Sequence, residues 1–429
     1  MFEEFKKIDH RIIRPINGNE FFITSSLLNL TDFFPKFSIE DFKKRAQENL
    51  SKIKVFNYAL KKINNYYFWI EKPFKIHIQE IPWKEEEELD HYLKSENKII
   101  LPFDPINDEE EKDVLLLYNF KICQLQKSNQ TKLTFSALHP VCDGRTIFYM
   151  FDLIRKIING ETLEPDHESL PSFDLKEIFT NLENPSILED GNPPEPWNQI
   201  KPLNILPKIE LPIQYITLHY LFDYPPIEKF CLENNITIQC MLMAMLTRAT
   251  RRYKNLSKET ALWVGTPFDT RSSKYASEEH KNKKFYCNTS FIFPCVQGQN
   301  SLLEDLKHCA QQLSEAKNTK DYIKHIMFGS TIIDPKTLEF KPKGMFPSGH
   351  HQAIVNGSNI GKINGNKPLF QLVSLTPFPD AYSHVYHSYY TEETLFICSQ
   401  MPFNIDKLYI DLIKEEMDKI FIPENIPKY

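Results

Sequence analysis

Lys132–Gly160 reads KLTFSALHPVCDGRTIFYMFDLIRKIING, and its three pieces set the architecture expected of the chain. Residues 132–138 form a short apolar run with Thr and Phe, which suits a buried strand. His139-Pro140-Val141-Cys142-Asp143-Gly144 is a tight connection: Pro140 lacks a backbone donor and fixes its own φ, and Gly144 tolerates conformations that other residues avoid. From Thr146 to Ile158, apolar residues at Ile147, Met150, Phe151, Ile154 and Ile157 fall at helical spacing. Arg155 and Lys156 complement the last turn, and Gly160 supplies a stop. The unit is strand, sharp turn, helix, with a histidine where the strand ends. Ligands of α/β proteins tend to bind at that edge of a sheet.

Working outward, the polar turn Lys127–Gln130 joins a strand over 114–124 to the 132–138 strand as a hairpin. Upstream, Ser38 is placed to cap a helix running to about Leu50, Lys75–Ile81 alternates as a strand, and acidic Glu85–Lys94 is expected to be helical. Seven prolines between Pro165 and Pro202 break any long element, which marks a crossover between two halves. Past it come a strand over 211–222, a Pro225-led helix, and a helix capped by Thr237 that is apolar nearly all round through Leu246. A helix of that kind is buried on nearly every face. Strands are expected over 261–267 and 285–296, and a helix over 301–316. A turn-rich stretch follows at Asn356–Gly361. Strands over 369–376, 385–390 and 394–401 lead to a closing helix over 409–421.

The chain has 429 residues, more than one hydrophobic core usually serves. A net charge of −6 with no long basic run argues against nucleic acid as a partner. The N-terminus lacks the apolar core of a secretory signal, and no stretch is apolar enough to span a membrane. The eight cysteines are scattered without a C-x-x-C pair, so they are expected as reduced thiols of a cytoplasmic protein, with no structural metal.

His139-x-x-x-Asp143-Gly144 is the sharpest chemical signal. A histidine at a strand end has a pKa near ~6.5, which lets it take and return a proton at neutral pH. Gly144 opens a helix, so unpaired backbone donors lie nearby, suiting a carbonyl that develops an oxyanion. Asp143 is expected to turn inward and pair with an arginine, because a buried carboxylate needs a partner. An i, i+4 metal pair is disfavoured: Pro140 and Gly144 interrupt any continuous helix, and no further ligands are evident.

HPVCDG between a β-rich run and an apolar helix resembles the HxxxDG motif of the chloramphenicol acetyltransferase-like superfamily. That group includes alcohol O-acetyltransferases, plant and fungal CoA-dependent acyltransferases and peptide-synthetase condensation domains. ITIQCMLMAMLTRATRRY, VGTPFDTR and VNGSNIGKI follow in the family's order, as its buried helix, its D-x-R segment and its S-N-x-G segment. The resemblance covers residues 132–361.

It implies an α/β fold of two chloramphenicol acetyltransferase-like subdomains, each a mixed β-sheet flanked by helices, with a tunnel between them. The expected boundaries are 1–185 and 208–429, joined by a crossover at 186–207. His139 would act as general base on a hydroxyl or amine acceptor that attacks an acyl-CoA thioester. Acyl-CoA would be a co-substrate, with no bound cofactor, and the protein would act as a monomer. Asp143 and Gly144 would be structural, with Arg271 as Asp143's partner. Leu138 stands where condensation domains carry the first of two histidines, which favours a simple acyltransferase; the D-F-G-W-G motif of plant members is absent, which argues against the plant subgroup and leaves the CoA-side contacts unassigned. A catalytically silent member that binds an acyl carrier or another protein, and a carrier-fed condensation-type enzyme, are the alternatives.

Asn288 is a candidate brace of the tunnel wall, and Ser374 and Thr376 are candidate oxyanion hydroxyls. His350 and His351 are expected in a solvated loop, since adjacent side chains diverge. His384 and His387, set among aromatics, are expected to be packing or surface residues. Cys142 is discounted as a nucleophile because a thiol in such a turn is commonly buried and inert.

Overall fold

The computed structural model describes residues 6–17, 20, 23–24, 26–63, 66–89, 97–99, 111–171, 175–188, 215–330, 353–354, 356–364, 368–374, 385–402 and 405–426. It is a mixed α/β structure built around two five-stranded sheets. In the first, the strands run in the order Leu369–Ser374, Ser26–Pro35, Gln130–Leu138, Tyr118–Gln124 and Ile78–Glu80. Pairing is antiparallel except for Ile78–Glu80, which runs parallel to Tyr118–Gln124. In the second, the order is Asn356–Lys362, Val385–Tyr390, Thr394–Pro402, Tyr215–Asp223 and Asn97–Ile99. Each sheet thus takes an edge strand from the far half of the sequence, Leu369–Ser374 in one direction and Asn97–Ile99 in the other.

Gln130–Leu138 is the middle strand of the first sheet, and its apolar residues Leu133, Phe135, Ala137 and Leu138 are buried. Rings supply much of that core: Phe135 lies 5.1 Å from Phe120 and 6.1 Å from Tyr118, centroid to centroid. The Gly144–Ile158 helix lays Ile147, Met150, Phe151, Ile154 and Ile157 onto the same core, as its spacing requires. Its chain exit at Gly160 has φ +87°, a conformation that costs glycine nothing.

The second core forms round the Ile238–Lys254 helix. Thr237 caps it, and every residue from Ile238 to Thr247 is buried. Its basic end is neutralised inside the protein. Arg248 Nε donates to Glu416 at 2.7 Å and Arg252 Nη1 donates to the same carboxylate at 2.8 Å, while Arg248 also pairs with Asp305. Glu416 is fully buried, on the closing Lys407–Ile420 helix. Burial alone would raise its carboxyl pKa; Arg248 and Lys419 outweigh that and lower it.

Several elements differ from expectation. The 114–124 run is two strands: Val114–Leu115 pairs with Tyr58–Ile63 in a separate four-stranded sheet, and only Tyr118–Gln124 joins the hairpin. Residues 75–81 are extended, but only Ile78–Glu80 pairs. Glu85–Glu87 is a single 3₁₀ turn, with Glu85 paired to Lys127 and Glu87 to Lys132; residues 90–94 lie outside the described residues. The 261–267 stretch divides into Leu262–Val264 and Thr266–Asp269. The 285–296 stretch forms strand only at Thr289–Ile292 and Cys295–Val296, because Tyr286 turns left-handed and Pro294 interrupts. The turn-rich Asn356–Gly361 is a strand, Asn356–Lys362, held parallel to Val385–Tyr390, with a bulge beside Gly361 at φ +99°. Among the described residues no helix is long and apolar enough to cross a membrane.

Candidate active site

Leu138 ends the middle strand, and His139–Val141 forms one 3₁₀ turn with Pro140 near its start. His139 Nδ1 lies 2.9 Å from the carbonyl oxygen of Cys142. A carbonyl only accepts, so Nδ1 carries the proton and Nε2 carries the lone pair. The ring is half-buried. Burial lowers its pKa from the ordinary histidine value, opposed by the Cys142 carbonyl and the Asp143 charge. The result is an imidazole that is neutral at pH 7 with Nε2 free to take a proton.

The turn is bolted to residues 285–288. Tyr286 N donates to Val141 O at 2.9 Å and Cys287 N to Pro140 O at 3.3 Å. Tyr286 has φ +69°, a backbone state that costs a bulky residue roughly 1–3 kcal/mol. Its surroundings enforce that state: its carbonyl accepts from Thr146 Oγ1 and Asn288 Nδ2, and its ring is buried.

Asp143 is the cap of the Gly144–Ile158 helix and the hub of this clamp. Its Oδ1 accepts from Thr146 N at 2.8 Å. Its Oδ2 accepts from Arg271 Nη2 at 2.8 Å and from Asn288 N at 3.0 Å. Both side chains of the ion pair are 3% exposed. Burial pushes the Asp143 carboxyl up, but Arg271 and the two backbone donors outweigh it and hold the pKa below the usual value. Asp269, first residue of the D-x-R segment, accepts from Arg271 Nε at 2.7 Å and fixes the guanidinium plane. Gly144 has a steric reason to be glycine: a Cβ there would meet Ile360 at 3.1 Å.

The structure thus joins His139, Asp143, Gly144, Arg271 and Asn288 in one place. Asn288 spends both amide hydrogens on carbonyls of its own loop, Phe285 and Tyr286. Its bonds are therefore those of a brace. Ser374 pairs with Ser26, whose neighbour Leu27 pairs with Leu138. It therefore ends its strand level with His139, two strands away. Thr376, His350, His351 and His384 lie outside the described residues. Burial keeps the Cys142 thiol well above its usual pKa and pushes Cys287 up to about 12, so neither is a ready thiolate. Among the described residues, no group of three or more His, Cys, Asp or Glu is placed to hold a metal ion.

His387 is the residue that sequence reasoning undervalued. It is buried as a packing residue is, and it lies on the face of its strand that packs toward the first half. On Val385–Tyr390, Tyr386 and Tyr390 face the second core, with Tyr386 Oη donating to Met401 Sδ and Tyr390 stacking on Tyr224. The alternate positions face the first half: Tyr389 packs on Phe148 of the Gly144–Ile158 helix, and His387 packs edge-on against Phe370 at 4.8 Å. His387 sits in a row of directly paired residues, Ser358–His387–Cys398–His219. Burial brings the His387 pKa to about 3, and His139 is near enough that its protonated form adds to that lowering. The available signal was a lone histidine alternating with tyrosine in VYHSYY.

No family model matches the chain, and no curated protein matches it in sequence. Solved structures do match over nearly the full length. The epimerization domain from the third module of tyrocidine synthetase B is 11% identical, with TM-score 0.62, covering 92% of this chain and 91% of its own. The condensation domain from the monacolin K polyketide synthase is 12% identical, with TM-score 0.62, covering 96% and 98%. The fold is that of the condensation domains. Polyketide synthase associated protein 5 from Mycobacterium tuberculosis shares it at 10% identity and TM-score 0.64, covering 96% of this chain and 99% of its own. These likenesses place the chain's architecture with the condensation and chloramphenicol acetyltransferase-like folds.

Proposed function

We propose that the protein is an acyltransferase that moves an acyl group from a thioester to a hydroxyl or amine acceptor. The observation that carries this is the state of His139. It is neutral, its Nδ1–H is pinned to the Cys142 carbonyl, and its Nε2 is free at the end of a rigidly clamped turn. Nε2 takes the proton from the acceptor O–H or N–H as the acceptor forms a bond to the thioester carbonyl carbon. The tetrahedral oxyanion collapses, the C–S bond breaks, and the leaving thiolate takes the proton back from Nε2. The products are an ester or amide and a free thiol, and His139 returns to its starting state. Asp143 and Arg271 hold the turn and exchange no protons. The donor is an acyl-phosphopantetheine thioester, carried on CoA or on a carrier protein.

The test measures thiol release from a panel of acyl-CoAs and acyl-loaded carrier proteins, each with mixed alcohols and amines. Acceptor-dependent release that His139→Ala abolishes supports the reading. Release that is unchanged in that variant, or absent from every donor, overturns it; the second result leaves a binding protein on the same fold.

A further inference from the structure

The clamp accounts for the base. Two backbone donors beside His139 are already committed: Cys142 N bonds His139 O, and Thr146 N bonds Asp143. Asn288 has committed its amide hydrogens as well. On the facing wall, His387 is only 6% exposed and its Nε2 has no hydrogen-bond partner. A buried polar atom without a partner is destabilising, so the fold sustains a loss that a ligand can recover.

We propose that His387 donates its Nε2–H to the carbonyl oxygen of the bound thioester and holds the oxyanion formed when His139 activates the acceptor. This rests on the acyl-transfer reading above. Three features support it. Strand alternation turns His387 away from the second core and toward the helix that His139's turn leads into. Phe370 fixes the ring by an edge-on contact at 4.8 Å, and Phe370 is itself seated 5.9 Å from Phe148 of that helix. Its direct neighbour in the row, Cys398, does not compete for the role: the thiol is fully buried and its pKa is raised by that burial. A ring that gives up its second proton near pH 3 is a poor base. In the tautomer with its proton on Nε2 it offers a neutral N–H, and a neutral imidazole can polarise a carbonyl without giving its proton away. The two histidines thereby divide the work, with His139 moving the proton and His387 holding the charge.

The experiment uses acetonyl-dethia-pantetheine, which carries a ketone at the thioester position and cannot transfer it. Its carbonyl is labelled with carbon-13. Wild type, His387→Leu and His387→Gln are compared, with melting curves to confirm that each is folded. The bound carbonyl signal is expected to move downfield in wild type, to lose most of that shift in His387→Leu and to regain part of it in His387→Gln, whose amide can donate. With an active donor, kcat should fall about 10²–10³-fold in His387→Leu, the loss typical of one missing oxyanion donor, while KM stays within about threefold. An equal carbonyl shift in wild type and His387→Leu, failure of the ketone to bind, or a change in KM alone overturns the proposal. A His387-dependent shift in a protein that releases no thiol from any donor upholds the carbonyl contact and defeats the acyl-transfer reading instead.

Discussion

The two walls that face each other at His139 are built on opposite terms. On the wall of the first half, every polar atom of Asp143 and Arg271 examined above has a partner, and even Tyr286 is held in an unfavourable backbone state by four surrounding bonds. On the wall of the second half, a buried imidazole nitrogen, His387 Nε2, has no hydrogen-bond partner. A group whose task is to hold geometry is saturated with hydrogen bonds. A group whose task is to meet a substrate keeps one valence open. His139 combines the two, bonded at Nδ1 and open at Nε2.

The comparison breaks most directly at His139 itself. Removing its ring in His139→Ala takes away the open valence and leaves the clamp untouched, so turnover measured by thiol release should fall roughly 10²–10⁴-fold. Melting should change little. A loss of folding in that variant would mean that His139 belongs to the saturated set.

Asp143→Ala tests the saturated set. It strands the buried Arg271 guanidinium and removes the helix cap. Breaking a buried pair from one side typically costs about 3–5 kcal/mol, and urea unfolding should register a loss of that size. The double variant Asp143→Ala/Arg271→Leu should recover part of it, because no lone charge is left inside. If Asp143→Ala alone unfolds like wild type, the clamp is not what holds the turn.

Acid separates the walls less sharply and touches both. Folded-state pKa values lie below ordinary ones for Asp143 and His139, and near 4 for His280 and 3 for His387. For each of these the unfolded chain binds more protons across the intervening range, so stability rises with pH there and is lost as pH falls. For the histidines, stability is fully present above about pH 6.5 and should decline as pH drops from there toward 4. Asp143 adds its loss below the ordinary carboxylate value near ~3.9. Turnover should follow the same sign: neutral His139 is the active form and its pKa is lowered, so the acid limb of kcat/KM should lie below pH 6.5. Urea melts at a series of pH values check the first statement and a pH–rate profile the second. Stability that increased on acidification would contradict the first, and an acid limb above pH 6.5 the second.

The sequence carried the first wall almost completely. Strand, turn and helix at 130–158 are local patterns, and Asp143's need for a buried partner follows from its charge; that the partner is Arg271 came from the D-x-R resemblance. The second wall was harder to read because its geometry is tertiary. Asn356–Gly361 has turn composition, yet pairing beside Val385–Tyr390 makes it a strand. Which face of VYHSYY looks across to His139 depends on the sheet it joins, and period-two alternation alone cannot say which side is which. The exchange of edge strands is equally invisible locally, since Leu369–Ser374 has the same apolar pattern whichever sheet it completes.

Gly144→Ala probes the point where the walls touch. A methyl group there meets Ile360 Cδ1 and Cγ1 at 3.1 Å, so either the isoleucine gives way or the helix start shifts. Overpacking of this kind costs about 1 kcal/mol when the neighbour can move. Ile360 lies on Asn356–Lys362, the strand whose Ser358 pairs with His387. Displacing it should disturb the open wall more than the clamp, whose contacts to Asp143 run through Thr146, Arg271 and Asn288 instead. The expected result is a stability loss near 1 kcal/mol with a several-fold fall in kcat, and the acid limb of the pH profile, which reports His139, should stay where it is. A shift of that limb with kcat preserved would show that Gly144 acts through the histidine turn, and the two walls would have to be treated as one.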